Sequence, residues 1–503
     1  MSRPASRPAG RRWVRWVAIG ALFGVVVSVG LPPGVSLAGP SAPRPVPKSF
    51  TYENSLSYMS CPSSTFCMGV GSYDGFYQQH DRSMVGTLAE EWDGSSWSLL
   101  DTPNPTKPGF NEGYNSTFSG VSCTSSSFCV AVGNSSSDGL EYPLAEVWDG
   151  SVWSITPAWD AANQPTGLGG VSCTSSMSCL AVGSYGSPGS AAGGVQPLVE
   201  QWNGSTWSQV TVPIPENSTD TYLSKISCYS QTFCVAVGSD DGTSEPNVIE
   251  EWDGTSWTVE QAPGPAGDSS PWLTDVSCSS DTFCAAVGQG FADMLSGTTW
   301  SVVTVPEPTG GSQYLLNGVS CTSSSYCTTV GDYENHSKKW VTQAATWNGT
   351  AWSLEKTANL KGNTTSGLSD VACWSSVSCL AVGSHTVGKQ SGVALLEQWA
   401  GSSWAVQSPP VVVPLGITPD SGKAGRKIRI SVLGFSPDAS VKVIYFSEAH
   451  GGADPLCSAT TDADGAFTCK AEIPRSKAGG RGPHYVFAQE GAVLLAVAIF
   501  TLG

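Results

Sequence analysis

Fourteen of the sixteen cysteines fall into seven pairs with five residues between partners: Cys61/Cys67, Cys123/Cys129, Cys173/Cys179, Cys228/Cys234, Cys278/Cys284, Cys321/Cys327 and Cys373/Cys379. The first cysteines are separated by 62, 50, 55, 50, 43 and 52 residues, so the pair marks a repeat with a period near 50. Periods of that size belong to solenoids, arrays and propellers. The remaining two cysteines, Cys457 and Cys469, leave none over. An even set in an exported chain reads as disulfides. Structural zinc competes poorly, because it wants two to four residues between paired ligands and four ligands at one point.

One full unit is GVSCTSSSFCVAVGNSSSDGLEYPLAEVWDGSVWSITP, from Gly120 to Pro157. It holds four strand-like segments, ending in Val-Ser-Cys, Val-Ala-Val-Gly, Glu-Val-Trp and Trp-Ser-Ile-Thr, with turn-formers between them. No amphipathic helix is readable in residues 51–410. Four strands per unit and seven units predict an all-β ring, a seven-bladed β-propeller. An open solenoid would need distinct capping repeats, and these end units look like the middle ones. The disulfide is expected to staple the hairpin of the first two strands. A Trp-x4-Trp pair recurs in six units, from Trp92/Trp97 to Trp399/Trp404, with Leu295 and Trp300 in the fifth. These rings are expected to pack between neighbouring blades. The turn they flank is Asp-Gly or Asn-Gly in five units, which suits positive φ.

A second strand ending in Val-Gly, a variable loop, an alternating third strand ending in aromatic-Asp and a Trp in the fourth together resemble the kelch repeat of galactose-oxidase-type propellers. The chain departs from it by one Gly where kelch has two, and by the cysteine pair. Trp-Asp-Gly-x-x-Trp also resembles the Asp-box hairpin of sialidase-like propellers. Both likenesses imply a propeller over residues 51–410. Composition changes over 411–503, where segments 427–435, 440–447, 466–473, 484–489 and 493–502 read as strands. The run ITPDSGKAGRKIRISVLGF resembles the opening of bacterial Ig-like domains of the IPT/TIG type, and implies a β-sandwich stapled by Cys457/Cys469. Asp462-x-Asp464-Gly465 reads as a hairpin turn, because the other oxygen ligands of a calcium loop are missing.

Residues 1–38 read as a signal peptide. Arg3, Arg7, Arg11, Arg12 and Arg15 precede an apolar run from Trp16 to Leu31, and Ser36-Leu37-Ala38 offers a cleavage site. The alternative is an uncleaved membrane anchor. A Pro-rich linker, 39–50, follows, and the expected location is secreted or at the cell surface. Within 51–410 there are 33 acidic and eight basic residues, a balance of −25. That charge repels phosphate backbones and argues against nucleic-acid partners. It suits Ca2+ or a cationic partner, although no cofactor or metal site is assigned.

The loops between second and third strands vary most in length and content, and variable loops on a stapled scaffold are where binding is expected. Just past the Val-Gly stand Tyr73, Tyr185, Tyr333 and His385, an aromatic set able to stack on sugars or peptide side chains, or to serve as ordinary loop packing. His80, His336 and His385 belong to units 1, 6 and 7, which become neighbours on ring closure. They read as a metal triad or as unrelated surface histidines. Enzyme motifs are scarce. No free cysteine remains for a copper-radical oxidase, and a sialidase needs an arginine cluster where the repeats hold Arg82 alone. No Gly-x-Ser-x-Gly or His-Glu-x-x-His occurs. The expected function is therefore non-catalytic binding of an extracellular carbohydrate or protein by a monomer. The alternative is a carboxylate-based polysaccharide hydrolase or lyase.

Overall fold

The computed structural model describes residues 53–502 outside 78–81, 96, 101, 106–114, 138, 162–163, 189–193, 241–246, 261, 266–271, 359–364, 388–389, 408–415, 420, 433–439, 448–451, 463–465, 476–481 and 491–492. The expected signal segment, the Pro-rich linker and His80 lie outside the described residues. No helix among the described residues is long and apolar enough to cross a membrane.

Each cysteine pair belongs to one four-stranded antiparallel unit. The units span 53–100, 115–155, 166–210, 221–260, 273–304, 312–355 and 366–407, numbered 1 to 7 below. In unit 2 the strands are Asn115–Ser125, Phe128–Ser137, Leu140–Trp148 and Trp153–Ile155, paired in sequence order. Every first strand carries a bulge four residues before the first cysteine of its pair, so that Ser57, Ser119, Gly169, Ser224, Thr274, Asn317 and Ser369 are skipped in the pairing. The bulge explains the recurrent Val-Gly. A Cβ on Gly133 would collide with the Thr117 carbonyl oxygen, and one on Gly331 with that of Leu315. Only glycine admits that approach.

The apolar faces of each sheet are buried against the next unit rather than within the unit. Met68, Val70 and Ala89 of unit 1 pack with Phe118, Leu144 and Trp148 of unit 2. Leu56, Leu88 and Trp97 of unit 1 pack in the same way with Leu380, Val382 and Leu396 of unit 7. First strands touch first strands in cyclic order, including unit 7 with unit 1. The repeats therefore form a closed, propeller-like, all-β arrangement. No strand is exchanged at the closure. A single parallel pairing, Asn54 with Val393, crosses it.

Hydrogen bonds reinforce the contacts between units. The serine before each first cysteine accepts, through Oγ, the N–H of the corresponding cysteine in the following unit: Ser60 from Cys123, Ser122 from Cys173, Ser172 from Cys228, Ser227 from Cys278, Ser277 from Cys321 and Ser320 from Cys373, at 2.9–3.0 Å. Unit 7 has Ala372 at this position and cannot extend the series to unit 1. Asp370 Oδ2 instead accepts the Met59 N–H, at 2.8 Å.

All seven expected disulfides join first and second strands: Cys61–Cys67, Cys123–Cys129, Cys173–Cys179, Cys228–Cys234, Cys278–Cys284, Cys321–Cys327 and Cys373–Cys379, with Cα–Cα distances of 4.0–4.1 Å. The bonds staple the hairpins as expected, and they also have a place in the core. The second cysteine of each pair, Cys67, Cys129, Cys179, Cys234, Cys284, Cys327 and Cys379, is buried, at 0–1% exposure. Each belongs to one of the apolar clusters between units. The cause is the strand each occupies, since the second strand lies inside the sheet with neighbours on both sides. These sulfurs are thus core side chains as well as cross-links, and offer nothing to a ligand.

The two tryptophans are directly paired across third and fourth strands, ring centroids 5.4–5.8 Å apart. The first indole N–H donates to a carbonyl in the disulfide turn, as Trp148 to Ser126 and Trp202 to Ser176, both at 3.1 Å. One side chain thus links both hairpin turns. The Asp-Gly turn has a local cause too. Asp149 Oδ1 accepts the N–H groups of Ser151 and Val152, and Gly150 takes φ 95°.

The C-terminal residues form two sheets. Gly416–Thr418, Lys427–Val432 and Phe467–Glu472 make one, and Ser421–Gly422, Val493–Leu502, Gly482–Glu490, Ser440–Ser447 and Gly452–Thr460 the other. Their shared core holds Ile428, Ile430, Val443, Tyr445 and Phe467, and Cys457–Cys469 links the sheets. The strand Gly452–Thr460 was not among those expected, because its Asp454-Pro455 break obscures alternation.

Ser227→Ala removes one inter-unit hydrogen bond and is expected to destabilise by about 1 kcal/mol, whereas Ala372→Ser, which completes the series, is expected to raise the denaturant midpoint. Replacing Cys278 and Cys284 together by alanine opens a loop of about seven residues and is expected to destabilise by up to roughly 2.4 kcal/mol through chain entropy. Urea unfolding followed by tryptophan fluorescence reads all three.

Candidate binding cleft

Three sets of polar side chains stand out against the repeat. The first lies on the third strands, two residues before the tryptophan position: Glu90, Glu146, Glu200, Glu250, Asp293 and Glu397, with Ala345 in unit 6. All six carboxyls are buried. Some receive the linker that enters their unit. Glu200 Oε2 accepts the Trp159 N–H at 2.9 Å, Glu397 Oε2 that of Ala358 at 3.0 Å, and Asp293 Oδ2 that of Gly264 at 3.4 Å. Burial pushes Glu90 and Glu250 up to about 8, Glu146 to about 9, Glu200 to about 7 and Asp293 to about 6, and raises Glu397. Their recurrence assigns them to the scaffold rather than to a site.

The second set lines the first strands, three residues before the cysteine: Tyr58, Gly120, Gly170, Lys225, Asp275, Gly318 and Asp370. Lys225 Nζ lies 3.6 Å from the Tyr58 ring centroid, donates to Gly169 O at 2.9 Å and also to Ser119 O. Asp275 Oδ2 accepts the Val319 N–H at 2.8 Å. Burial raises both aspartates, the charge of Asp370 raises Asp275 further, and Lys225 opposes the rise in each. The four side chains bind backbone and one another, so they brace the inner strands.

The third set is open to a ligand. A cleft of about 370 Å³ lies between units 6 and 7, at the ends of the second strands and the starts of the first and third, away from the disulfide turns. Asn317, Asp332 and Trp340 of unit 6 face Ser369, Ser384 and His385 of unit 7. The bulge places Asn317, whose Nδ2 donates to Asp332 Oδ1 at 2.8 Å and to Leu368 O at 2.9 Å. One amide thus fixes the carboxylate and ties the units. Burial pushes Asp332 up to about 6, and the Asn317 bond opposes it. Behind it, the buried Gln343 Nε2 donates to Leu315 O at 2.8 Å. Pockets of this size, with a few fixed polar groups and an aromatic, are typical ligand sites.

The residues expected from sequence are distributed unequally. His385 lines the cleft. Tyr333, on the strand beside Asp332, stacks on Tyr314 with centroids 6.1 Å apart. Tyr185 meets Trp159 edge-on at 5.2 Å, a packing contact in unit 3. Tyr73 is 40% exposed, its ring over Gly86. His336 is exposed and lies against Gly310, outside the cleft lining. Among the described residues, no group of three or more His, Cys, Asp or Glu is arranged to hold a metal ion. Asn317, Asp332 and Trp340 were not singled out from sequence. The available signal was departure from the repeat, since Asp332 stands where units 1, 3, 4 and 7 have Ser72, Ser184, Ser239 and Ser384.

No family model matches this chain, and no curated protein matches it. Among solved structures it is similar to YCF48 bound to D1 peptide, with 12% identity over 71% of this chain and 99% of that one and a TM-score of 0.42. A polysaccharide lyase, PL25 ulvan lyase, gives 10% identity over 71% and 97%, with a TM-score of 0.45. Sqt1 of Chaetomium thermophilum, bound to the N-terminus of ribosomal protein L10, gives 10% over 86% and 100%, with a TM-score of 0.38. The chain is an all-β protein of disulfide-stapled, propeller-like repeats, and its eight disulfides suit an oxidising compartment.

The third-strand carboxyls give the fold a pH dependence. Glu250 has an ordinary value of 4.5 and is raised to about 8 in the fold, so the native state holds a proton that the unfolded chain has released at neutral pH. Its contribution is full below about pH 4.5 and is lost as pH climbs through about 8. Glu250→Gln is expected to leave stability unchanged at pH 4.5 and to raise it at pH 8 by at least ~1.4 kcal/mol, the equivalent of one pH unit. Thermal unfolding across that range reads the difference.

Proposed function

We propose that this chain is an exported, seven-bladed, kelch-like propeller followed by an Ig-like module of the bacterial IPT/TIG type, and that it binds an extracellular carbohydrate through the variable-loop side. The observation that carries this reading is the cleft between units 6 and 7. It combines an indole, Trp340, with amide, carboxylate and hydroxyl groups held on strands rather than on free loops. Hydroxyl-rich ligands are bound by such mixtures, the ring face against an aromatic and the hydroxyls against fixed polar partners. The disulfide-turn side repeats the same tryptophan pair in six units and the same Asp-Gly or Asn-Gly turn in five. Export follows from the N-terminal signal and the disulfides, and the Ig-like module serves as a spacer.

A second reading has one observation in its favour. Asp332 and His385 line the same cleft, and a carboxyl pushed to about 6 in one cleft with an imidazole offers two groups suited to proton transfer on a polysaccharide.

A glycan array probed with the purified protein, followed by calorimetry on the positive glycans, tests the proposal. Trp340→Ala and Asp332→Ala are each expected to weaken binding ten-fold or more while leaving the unfolding midpoint within a few degrees. Reducing-sugar or unsaturated-product release from a positive glycan would replace the binding reading by the enzymatic one. Hits among peptides with an empty array would make the ligand a protein.

A further inference from the structure

Within the proposed reading of the cleft, the side chains that line it narrow the ligand class. Asp332 is the carboxylate of this site, and among the described residues no Lys or Arg lines it. Among the described residues, Lys338 and Lys339 stand on the turn that precedes Trp340. Lys338 Nζ is already paired with Glu334 Oε2 at 2.9 Å, and neither Lys338 nor Lys339 lines the cleft. An anionic sugar would therefore meet a carboxylate with no Lys or Arg of the described lining to offset it, in a partly desolvated setting where like charges cost most. The remaining lining is hydroxylic: Thr365, Ser366, Ser369, Ser384 and Thr386, each able to donate and accept. Asn317 holds one oxygen of Asp332 in place and so fixes the direction in which the carboxylate presents charge. Over 51–410 as a whole there are 33 acidic and eight basic residues, an excess that stays acidic with Glu90, Glu146 and Glu250 held neutral by burial and that attracts cations.

We propose that the cleft takes a saccharide bearing a free amine, with the ammonium group on Asp332, the sugar hydroxyls on the serine and threonine hydroxyls, and the ring against Trp340. Asp332 is on this view the residue that sets specificity, and uronic or sulfated sugars bind less well than amino sugars. The reading depends on the cleft being the carbohydrate site. It goes beyond that reading in naming the charge on the ligand.

Calorimetry with three oligosaccharides of equal length separates the possibilities: β-1,4-linked glucosamine, its fully N-acetylated form, and the corresponding glucose oligomer. Spermidine serves as a cation without sugar hydroxyls. The amine oligomer is expected to bind at least ten-fold more tightly than the acetylated one, and added salt is expected to shrink that gap. Asp332→Asn keeps the shape and is expected to reduce the amine oligomer to the level of the acetylated form. The comparison of amine with acetyl needs no variant, so it stands even where a substitution disturbs folding. Equal binding of all three sugars, lost on Trp340→Ala but indifferent to Asp332→Asn, would overturn the charged-ligand proposal and leave the cleft as the site. Spermidine binding as tightly as the amine oligomer, with no response to Asp332→Asn, would reduce the effect to general attraction by the acidic body and overturn the proposal. Failure of every sugar to bind would overturn both the proposal and the reading on which it rests.

Discussion

No unit of this protein can bury its own apolar faces. A four-stranded sheet has two sides, and each of the seven apolar clusters in the repeats draws its side chains from two successive units, with the last drawn from units 7 and 1. Closure is therefore a condition of stability rather than a decoration. An isolated unit would expose two apolar faces, and an open row would expose two in total at its ends. The serine-to-cysteine hydrogen bonds follow the same path, from each unit to the next, and fail only at the junction where chain start meets chain end. There Asp370 accepts the Met59 N–H, as Asp275 accepts that of Val319 between units 5 and 6.

Local stapling and ring closure address different costs. The disulfide, the paired tryptophans and the Asx turn hold each hairpin in register before any neighbour arrives, and so reduce the conformational entropy that the ring must overcome. The indole N–H that reaches the disulfide turn makes the two hairpins of a unit one object. The buried sulfurs join the two levels, since Cys129 or Cys327 closes its own hairpin and also fills the seam with a neighbour. The buried third-strand carboxyls work in the opposite sense. Three of them anchor an incoming linker by a backbone N–H, and all six remain hard to ionise in their apolar setting. The scaffold thus carries a set of groups that favours acid over alkali.

Much of the architecture was legible in the sequence because it is written many times over. Cysteine spacing gave the unit length, and the Val-Gly and Trp-x4-Trp signatures gave strand ends. What a repeat cannot reveal by repetition is the position that differs. Asn317 falls in unit 6 where sister units hold small hydroxyl residues or glycine, Asp332 where four of them hold serine, and neither forms a motif with its sequence neighbours. They meet only because a first-strand bulge and a second-strand end lie side by side, 15 residues apart. The aromatic set read from sequence was dispersed by the same geometry. Tyr185 is occupied by Trp159, Tyr333 by Tyr314, and of that set His385 alone lines the cleft. Equal distance from the Val-Gly places side chains alike in each unit, but not on a shared opening.

The uninterrupted course of each unit along the chain has an evolutionary corollary. Because no strand is lent across the closure, duplication or loss of one coding segment inserts or deletes a whole wedge without cutting any hairpin. Individual copies are then at liberty to diverge one at a time, while their siblings go on holding the circle shut.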